Sequence, residues 1–300
     1  MNNTADLMFE RDKLLAQVKK YKWLFILISL LLVLFLGRSA INAPKKQEII
    51  ARIQVSGILQ HDADLTKKLK ELEKDPKIKA VILRIDSPGG VAYAGEDLYV
   101  NLKRLSKQKP VVSVMESVAA SAGYMIALGT NHIIARNMTL TGSIGVLMQS
   151  FELVEMGKKI GLEFVVLKSS PLKASPNPME KMTPEAKAAA METINDSYNI
   201  FLSALIEGRK MKKSQALKLA NGKVYTGKKA KELKLIDEIG GEEEAIAWLE
   251  KNKHISKSAK VVDIKWEKPV GLLQELTNFF RNTNKTLLQI FGGNGATLLK

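Results

Sequence analysis

The sequence predicts an α/β protein. Short apolar runs bounded by turn residues alternate with longer helical patterns, and strand, turn and helix recur at intervals of roughly 30 residues. In one unit, residues 80–85 read as a buried strand, Asp86-Ser87-Pro88-Gly89-Gly90 as a sharp turn, and residues 91–108 as a helix. In the next, Val111, Val112, Val114 and Met115 form an apolar run behind Pro110. That run stops in small residues around Ser121 and resumes as a core helix over 124–128.

The elements follow in order. Residues 1–22 are mostly polar, and 23–36 are apolar apart from Ser29. That run falls short of the ~20 residues of a straight transmembrane helix. Gly37, Ser39, Ala40 and Ile41 complete it if Arg38 snorkels to the interface, with Tyr21 and Trp23 in the interfacial belt. The candidate cleavage sites, Ile41-Asn42-Ala43 and Arg38-Ser39-Ala40, lack small residues at both required positions, so a retained anchor over 23–41 is expected rather than a cleaved signal peptide. Arg11, Lys13, Lys19, Lys20 and Lys22 give a slight positive bias before it, which places the N-terminus inside and the rest of the chain on the extracytoplasmic side of the cell membrane.

A linker over 42–48 leads to a globular domain expected over 49–262. Residues 49–59 alternate as a strand. Leu65, Leu69 and Leu72 mark one face of a helix over 64–75 that Pro76 ends. Residues 133–135 and 163–167 read as strands, and 151–161 as a helix. Thr183-Pro184 is a helix start, after which Met191, Ile194, Tyr198, Phe201 and Leu205 define a core face. A shorter helix over 214–220 and another over 242–251 follow. The tail, 263–300, carries apolar clusters at 272–280 and 287–291, suited to a neighbouring subunit or to a membrane surface.

Composition narrows the chemistry. The 300 residues carry a formal net charge of +15, no cysteine and three histidines. Disulfides and thiolate metal sites are excluded, and a metal centre built on several histidines is not expected; no metal or other cofactor is called for. The lysines are scattered, without the aromatic-interleaved patch of a nucleic-acid protein, so no nucleic-acid partner is expected.

Ser121, flanked by Ala119, Ala120, Ala122 and Gly123, stands between a strand and a helix. It reads either as a helix N-cap or as a nucleophile at the positive end of the helix dipole. A nucleophilic serine needs a base. His132 has no carboxylate spaced to orient it and reads as a surface histidine. There is no Gly-x-Ser-x-Gly elbow, because Thr141 precedes Ser143 at the required position. The remaining base is a lysine made neutral by burial, and the small, proline-rich surroundings of Lys173 are compatible with one; an ordinary loop lysine is the alternative.

The chain resembles the signal peptide peptidase A family of membrane serine proteases over about residues 49–250. The resemblance rests on Arg84-Ile85-Asp86-Ser87-Pro88-Gly89-Gly90, Ala119-Ala120-Ser121-Ala122-Gly123-Tyr124, Leu140-Thr141-Gly142-Ser143-Ile144-Gly145, and Gly222-Lys223-Val224-Tyr225-Thr226-Gly227 with Leu235-Ile236-Asp237, in the family order. It implies a ClpP/crotonase-like fold of repeated ββα units, with Ser121 as nucleophile and Lys173, 52 residues later, as general base. It further implies that Ser143 orients the lysine, and that backbone N–H groups at Gly89 or Gly90 and Ala122 form the oxyanion hole. Two positions depart from the family pattern: Ala122 replaces a glycine, and Lys173 lies in Ser170-Pro171-Leu172-Lys173 rather than a Gly-x-Tyr/His-Lys setting. The resemblance implies a homo-oligomeric ring in which serine and lysine come from adjacent subunits. The function expected is a membrane-anchored serine endopeptidase cleaving residual signal peptides or short apolar peptides. The alternatives are a catalytically silent scaffold of the same fold and a protease of other membrane proteins.

Overall fold

The computed structural model describes the backbone of residues 3–41 and 47–266, and the side chains of 8–34 and 47–266. The chain forms two compact units, Met1–Gln47 and Glu48–Lys300.

The first unit contains one described helix, α1 (Asn3–Ile41). Its residues from Trp23 to Leu34 are largely apolar and exposed. Among the described residues no helix is long and apolar enough to cross a membrane. The side chains of 35–41, which the expected anchor needs to reach full length, lie outside the described residues, as do residues 42–46 of the linker and 267–300 of the tail.

The second unit is built on an eight-stranded sheet. Its elements are β1 (Ile49–Leu59), α2 (Ala63–Lys74), β2 (Ile78–Gly90), α3 (Ala92–Gln108), β3 (Val111–Ala120), α4 (Ala122–Ala127), β4 (His132–Ala135), β5 (Leu140–Gly142) and α5 (Val154–Lys159). There follow α6 (Pro184–Arg209), α7 (Lys213–Leu219), β6 (Val224–Thr226), α8 (Gly227–Glu232), β7 (Glu238–Ile239), α9 (Glu242–Lys253) and β8 (Lys260–Asp263). The path β8-β1-β2-β3 is parallel throughout. Beyond β3 the sheet forks: residues 112–115 pair with β4, and 118–120 pair with β5. β4 continues in parallel to β7, whereas β5 turns antiparallel to β6.

Both faces of the central strands are covered, which is why they read as near-continuous apolar runs. Ala51, Ile53, Val81, Leu83 and Ile85 face the larger core, under α2, α3, α4 and α6. Ile50, Ala80, Ile82, Val112 and Val114 face a smaller core closed by Ala245 and Leu249 of α9. Asp62 caps α2 by accepting the Leu65 N–H at 2.8 Å, and Thr183 caps α6 by accepting that of Ala186 at 3.1 Å.

Three expectations require correction. Residues 163–167 form no strand: Phe164 packs against Gly157, while Val165 and Leu167 stand exposed at 77% and 92%, without a neighbouring strand to pair with. The Pro-Gly-Gly turn does not end β2, because its glycines continue to pair with Ile58 and Leu59 of β1 after a register shift. The apolar face of α6 is core only in its C-terminal part. Phe201 and Leu205 are buried, but Met191 is exposed, because the 26-residue helix outruns the body it packs on.

Candidate active site

β3 ends in Ala119 and Ala120, both buried, and Ser121 stands at the N-cap position of α4. The backbone at Ser121 has φ 52° and ψ −126°, a conformation that costs a non-glycine residue about 1–3 kcal/mol. Its neighbours hold it there. The Ser121 N–H donates to the Gly142 carbonyl at 2.9 Å, and its own carbonyl accepts the N–H groups of Tyr124 and Met125 at 2.9 and 3.0 Å. The side chain makes no capping hydrogen bond. The N-cap explanation of this serine therefore fails: among the described residues the hydroxyl has no hydrogen-bond partner, at a strained turn.

The turn is clamped from two sides. Gly89, at φ 112°, lies so close that a Cβ on it would sit 2.8 Å from the Ser121 Cβ. Glycine is required there for both its dihedral and its contact. Beneath, α4 is entirely buried, and the Tyr124 hydroxyl donates to the Leu235 carbonyl at 2.7 Å. Burial pushes the Tyr124 phenol well above its ordinary value, so it stays a neutral donor. Next to it, Arg209 pairs with Asp237 at 2.7 Å, and Asp237 also accepts the Ile133 N–H at 2.8 Å. Burial alone would raise Asp237, but the Arg209 hydrogen bonds and charge, with the Ile133 N–H, outweigh it and hold the carboxyl below its ordinary range. The Leu235-Ile236-Asp237 motif thus supports the floor of the serine turn.

Ser121 opens into a cleft of about 920 Å³, within the size range of small-ligand sites. Gly90, Ala122 and Ser143 line it as well. Ser143 also has a positive φ of 50°, held by its N–H donating to the Lys223 carbonyl at 2.9 Å. Ala122 occupies the first helical position, where a backbone N–H has no intrahelical acceptor. Its methyl packs on Gly95 of α3, which accommodates the alanine where a glycine was expected. The Gly89 N–H donates to Ser87 Oγ at 3.1 Å, so Gly90 and Ala122 are left as the better-placed candidates for an oxyanion site.

Lys173 lies apart. Its N–H donates to the Ser170 carbonyl at 3.1 Å, its side chain is exposed, and it does not line the cleft of its own chain. The burial expected of a neutral lysine is not met within one subunit. Nearby Lys168 is instead tied to Glu180 at 2.7 Å and to Ser175 Oγ at 3.2 Å, a clamp that no local pattern reveals.

His132 also differs from expectation. It is half-buried rather than on the open surface, stacked on Trp248 at 4.6 Å, and its Nε2 lies 3.0 Å from Glu238 with Asp237 at 3.8 Å from Nδ1. The carboxylates come from more than a hundred residues downstream. Its position on the sheet still removes it from the serine. His132 pairs with Val112 near the start of β3, whereas Ser121 follows the opposite end of that strand.

The profile of peptidase family S49 matches residues 103–256, half of the chain. The chain belongs to peptidase family S49, the family of signal peptide peptidase A. The Clp protease profile matches residues 45–153, in accord with the ClpP-like α/β fold. A Synechocystis protein whose provisional name is that of a protease is 37% identical over 201 residues, 66% of this chain and 72% of the relative. A chloroplastic serine protease SPPA of Arabidopsis thaliana is 34% identical over 71% of this chain and 32% of the relative. Protease 4 of Haemophilus influenzae is 34% identical over 68% of this chain and 34% of the relative. A ClpP1 mutant structure from Listeria monocytogenes superposes with a TM-score of 0.44 at 16% identity, over 63% of this chain and 91% of that one. This S49 member therefore spans most of its Synechocystis relative but only about a third of the other two.

Proposed function

We propose that this chain is a serine endopeptidase held at the membrane by α1, and that it cleaves residual signal peptides or short apolar peptides. The observation that carries the reading is Ser121: a free hydroxyl on a strained backbone at the start of a buried helix, opening into a large cleft. A residue so strained persists only where the surroundings enforce it, and such strain concentrates at functional sites. Ser121 attacks the peptide carbonyl, and its proton passes to Lys173. The N–H of Ala122, with that of Gly90, receives the developing oxyanion. Lys173 returns the proton to the departing amine, which leaves an acyl-enzyme; water, deprotonated in turn by the neutral lysine, then hydrolyses it.

Lys173 reaches Ser121 from a neighbouring subunit in a homo-oligomeric ring, with Ser143 holding the amine. The exposure of Lys173 on its own chain and its absence from that chain's cleft lining support this arrangement. The apolar run of α1 supports the anchor, and the slight excess of lysine and arginine before it supports an extracytoplasmic peptidase unit.

The test is labelling of the detergent-solubilised chain with a fluorophosphonate, followed by mapping of the modified residue. An adduct on Ser121 that is lost in Ser121→Ala is expected. No adduct, from protein that retains its fold, favours the silent scaffold instead. For topology, protease added to intact spheroplasts should digest the peptidase unit; full protection would place it in the cytoplasm.

A further inference from the structure

The cleft that holds Ser121 contains one charged side chain among its described lining residues, Glu96. Helix α3 passes so close to α4 that a Cβ on Gly95 would lie 2.8 Å from the Ala122 Cβ, and Glu96 is the next residue. Glu96 lines the same cleft as Ser121, Ala122 and Met125 of the nucleophile's turn and helix. Its cleft neighbours Val91, Met125, Val146 and Phe201 are apolar.

The neighbouring acids are engaged. Asp97 accepts from the Thr66 hydroxyl at 2.7 Å and from Asn101 at 3.1 Å, and Glu207 accepts from Lys103. Glu96 is half-buried, and no described residue offers it a hydrogen bond or an ion pair. In a chain of net charge +15, an unpaired carboxylate inside a mostly apolar cleft stands out. An unpaired carboxylate lining a cleft can accept the charge-assisted hydrogen bonds of a bound cation.

We infer that Glu96 is a specificity residue: it receives the ammonium or guanidinium of a basic side chain in the bound peptide, next to subsites that take apolar side chains. The inference rests on the proposed peptidase reading and names its substrate class as apolar peptides bearing a lysine or arginine near the scissile bond. Like many ligand sites, the cleft would draw its affinity from apolar contact and its selectivity from a single polar group.

The test uses full-length Ser121→Ala protein in detergent micelles, so that binding is read without turnover. Fluorescent apolar peptides are compared in pairs that carry lysine or norleucine, stepped along the sequence. At one position lysine should bind about tenfold more tightly than norleucine, with the advantage falling at higher salt. Adding Glu96→Gln should abolish that advantage and leave the norleucine peptide unchanged. Adding Glu96→Lys should invert it in favour of a glutamate peptide, which a misfolded protein would not do. Equal binding of lysine and norleucine peptides at every position overturns the inference. So does a Glu96→Gln variant that weakens both members of a pair equally, since that identifies a structural role. Failure of the peptidase reading is separately visible: wild-type protein would then leave the same peptides intact and acquire no fluorophosphonate adduct, whatever the binding result.

Discussion

A serine hydroxyl in water is a weak nucleophile, and what distinguishes Ser121 is its setting. The backbone strain is held by the Gly142 carbonyl from one side and the close approach of Gly89 from the other. The identity of the base is the point most open to test at this scale. Lys173→Arg should be nearly inactive, because a guanidinium stays charged and cannot accept the serine proton. Lys173→Ala should fail similarly. His132→Ala should keep most of its activity, because His132, in β4, pairs with the end of β3 remote from Ser121. Turnover of a short apolar peptide by the three variants, each checked for intact assembly, measures this. An active Lys173→Arg enzyme would overturn the Ser-Lys mechanism. The positions of Ser121 and Ser143 were legible as motifs. The strain at Ser121 was not, because it arises from hydrogen bonds to a strand 20 residues away. The carboxylates around His132 were hidden for the same reason: they approach only when β7 pairs with β4.

Among the elements, α4 depends on the Tyr124, Leu235, Arg209 and Asp237 network for its floor. Asp237 has a depressed folded-state pKa. Its stabilising contribution is therefore present above the unfolded value of ~3.9 and is lost as pH falls through the lower folded value. Asp237→Asn should destabilise the fold by on the order of 2 kcal/mol near neutral pH, because it leaves the largely buried Arg209 without its anion. The deficit should shrink as pH falls below about 4, because the unfolded wild-type chain then takes up a proton that the folded carboxylate resists. Thermal melts of both proteins across pH 3–7 would check this, and a pH-independent difference would refute it. Helix starts at this scale were readable because capping is local: Thr183-Pro184 opens α6 as its chemistry requires. The supposed strand over 163–167 failed because apolar composition supplies no ladder partner.

For the whole molecule, the proposed dyad requires Lys173, which lies outside the cleft of its own chain, to reach Ser121 from a neighbouring subunit. Exposed apolar side chains gather in and around the segment that carries Lys173. Among them are Leu147, Phe151, Ile160, Val165 and Leu172, and Met191 on the overhanging part of α6 adds to the uncovered apolar surface. Such extensive apolar surface is characteristic of an interaction site. Mixed oligomers of Ser121→Ala and Lys173→Ala subunits should recover up to about a quarter of wild-type activity if dyads form across interfaces with random mixing. The readout is peptide turnover in verified mixed assemblies, and complete absence of recovery would place both groups in one chain.

The strand and helix alternation through β4, the start of α6, the serine turn and the family motifs were readable in the sequence itself. Each is written in short-range periodicity or in residues whose local conformations are few. Other features were decided by tertiary structure: the fork of the sheet at β3, the free hydroxyl of Ser121, the separation of Lys173 from the cleft, and the unpaired Glu96 beside it. These depend on contacts between residues far apart in the chain. No local pattern records whether a polar group will find its partner there, or a helix the surface it needs to cover.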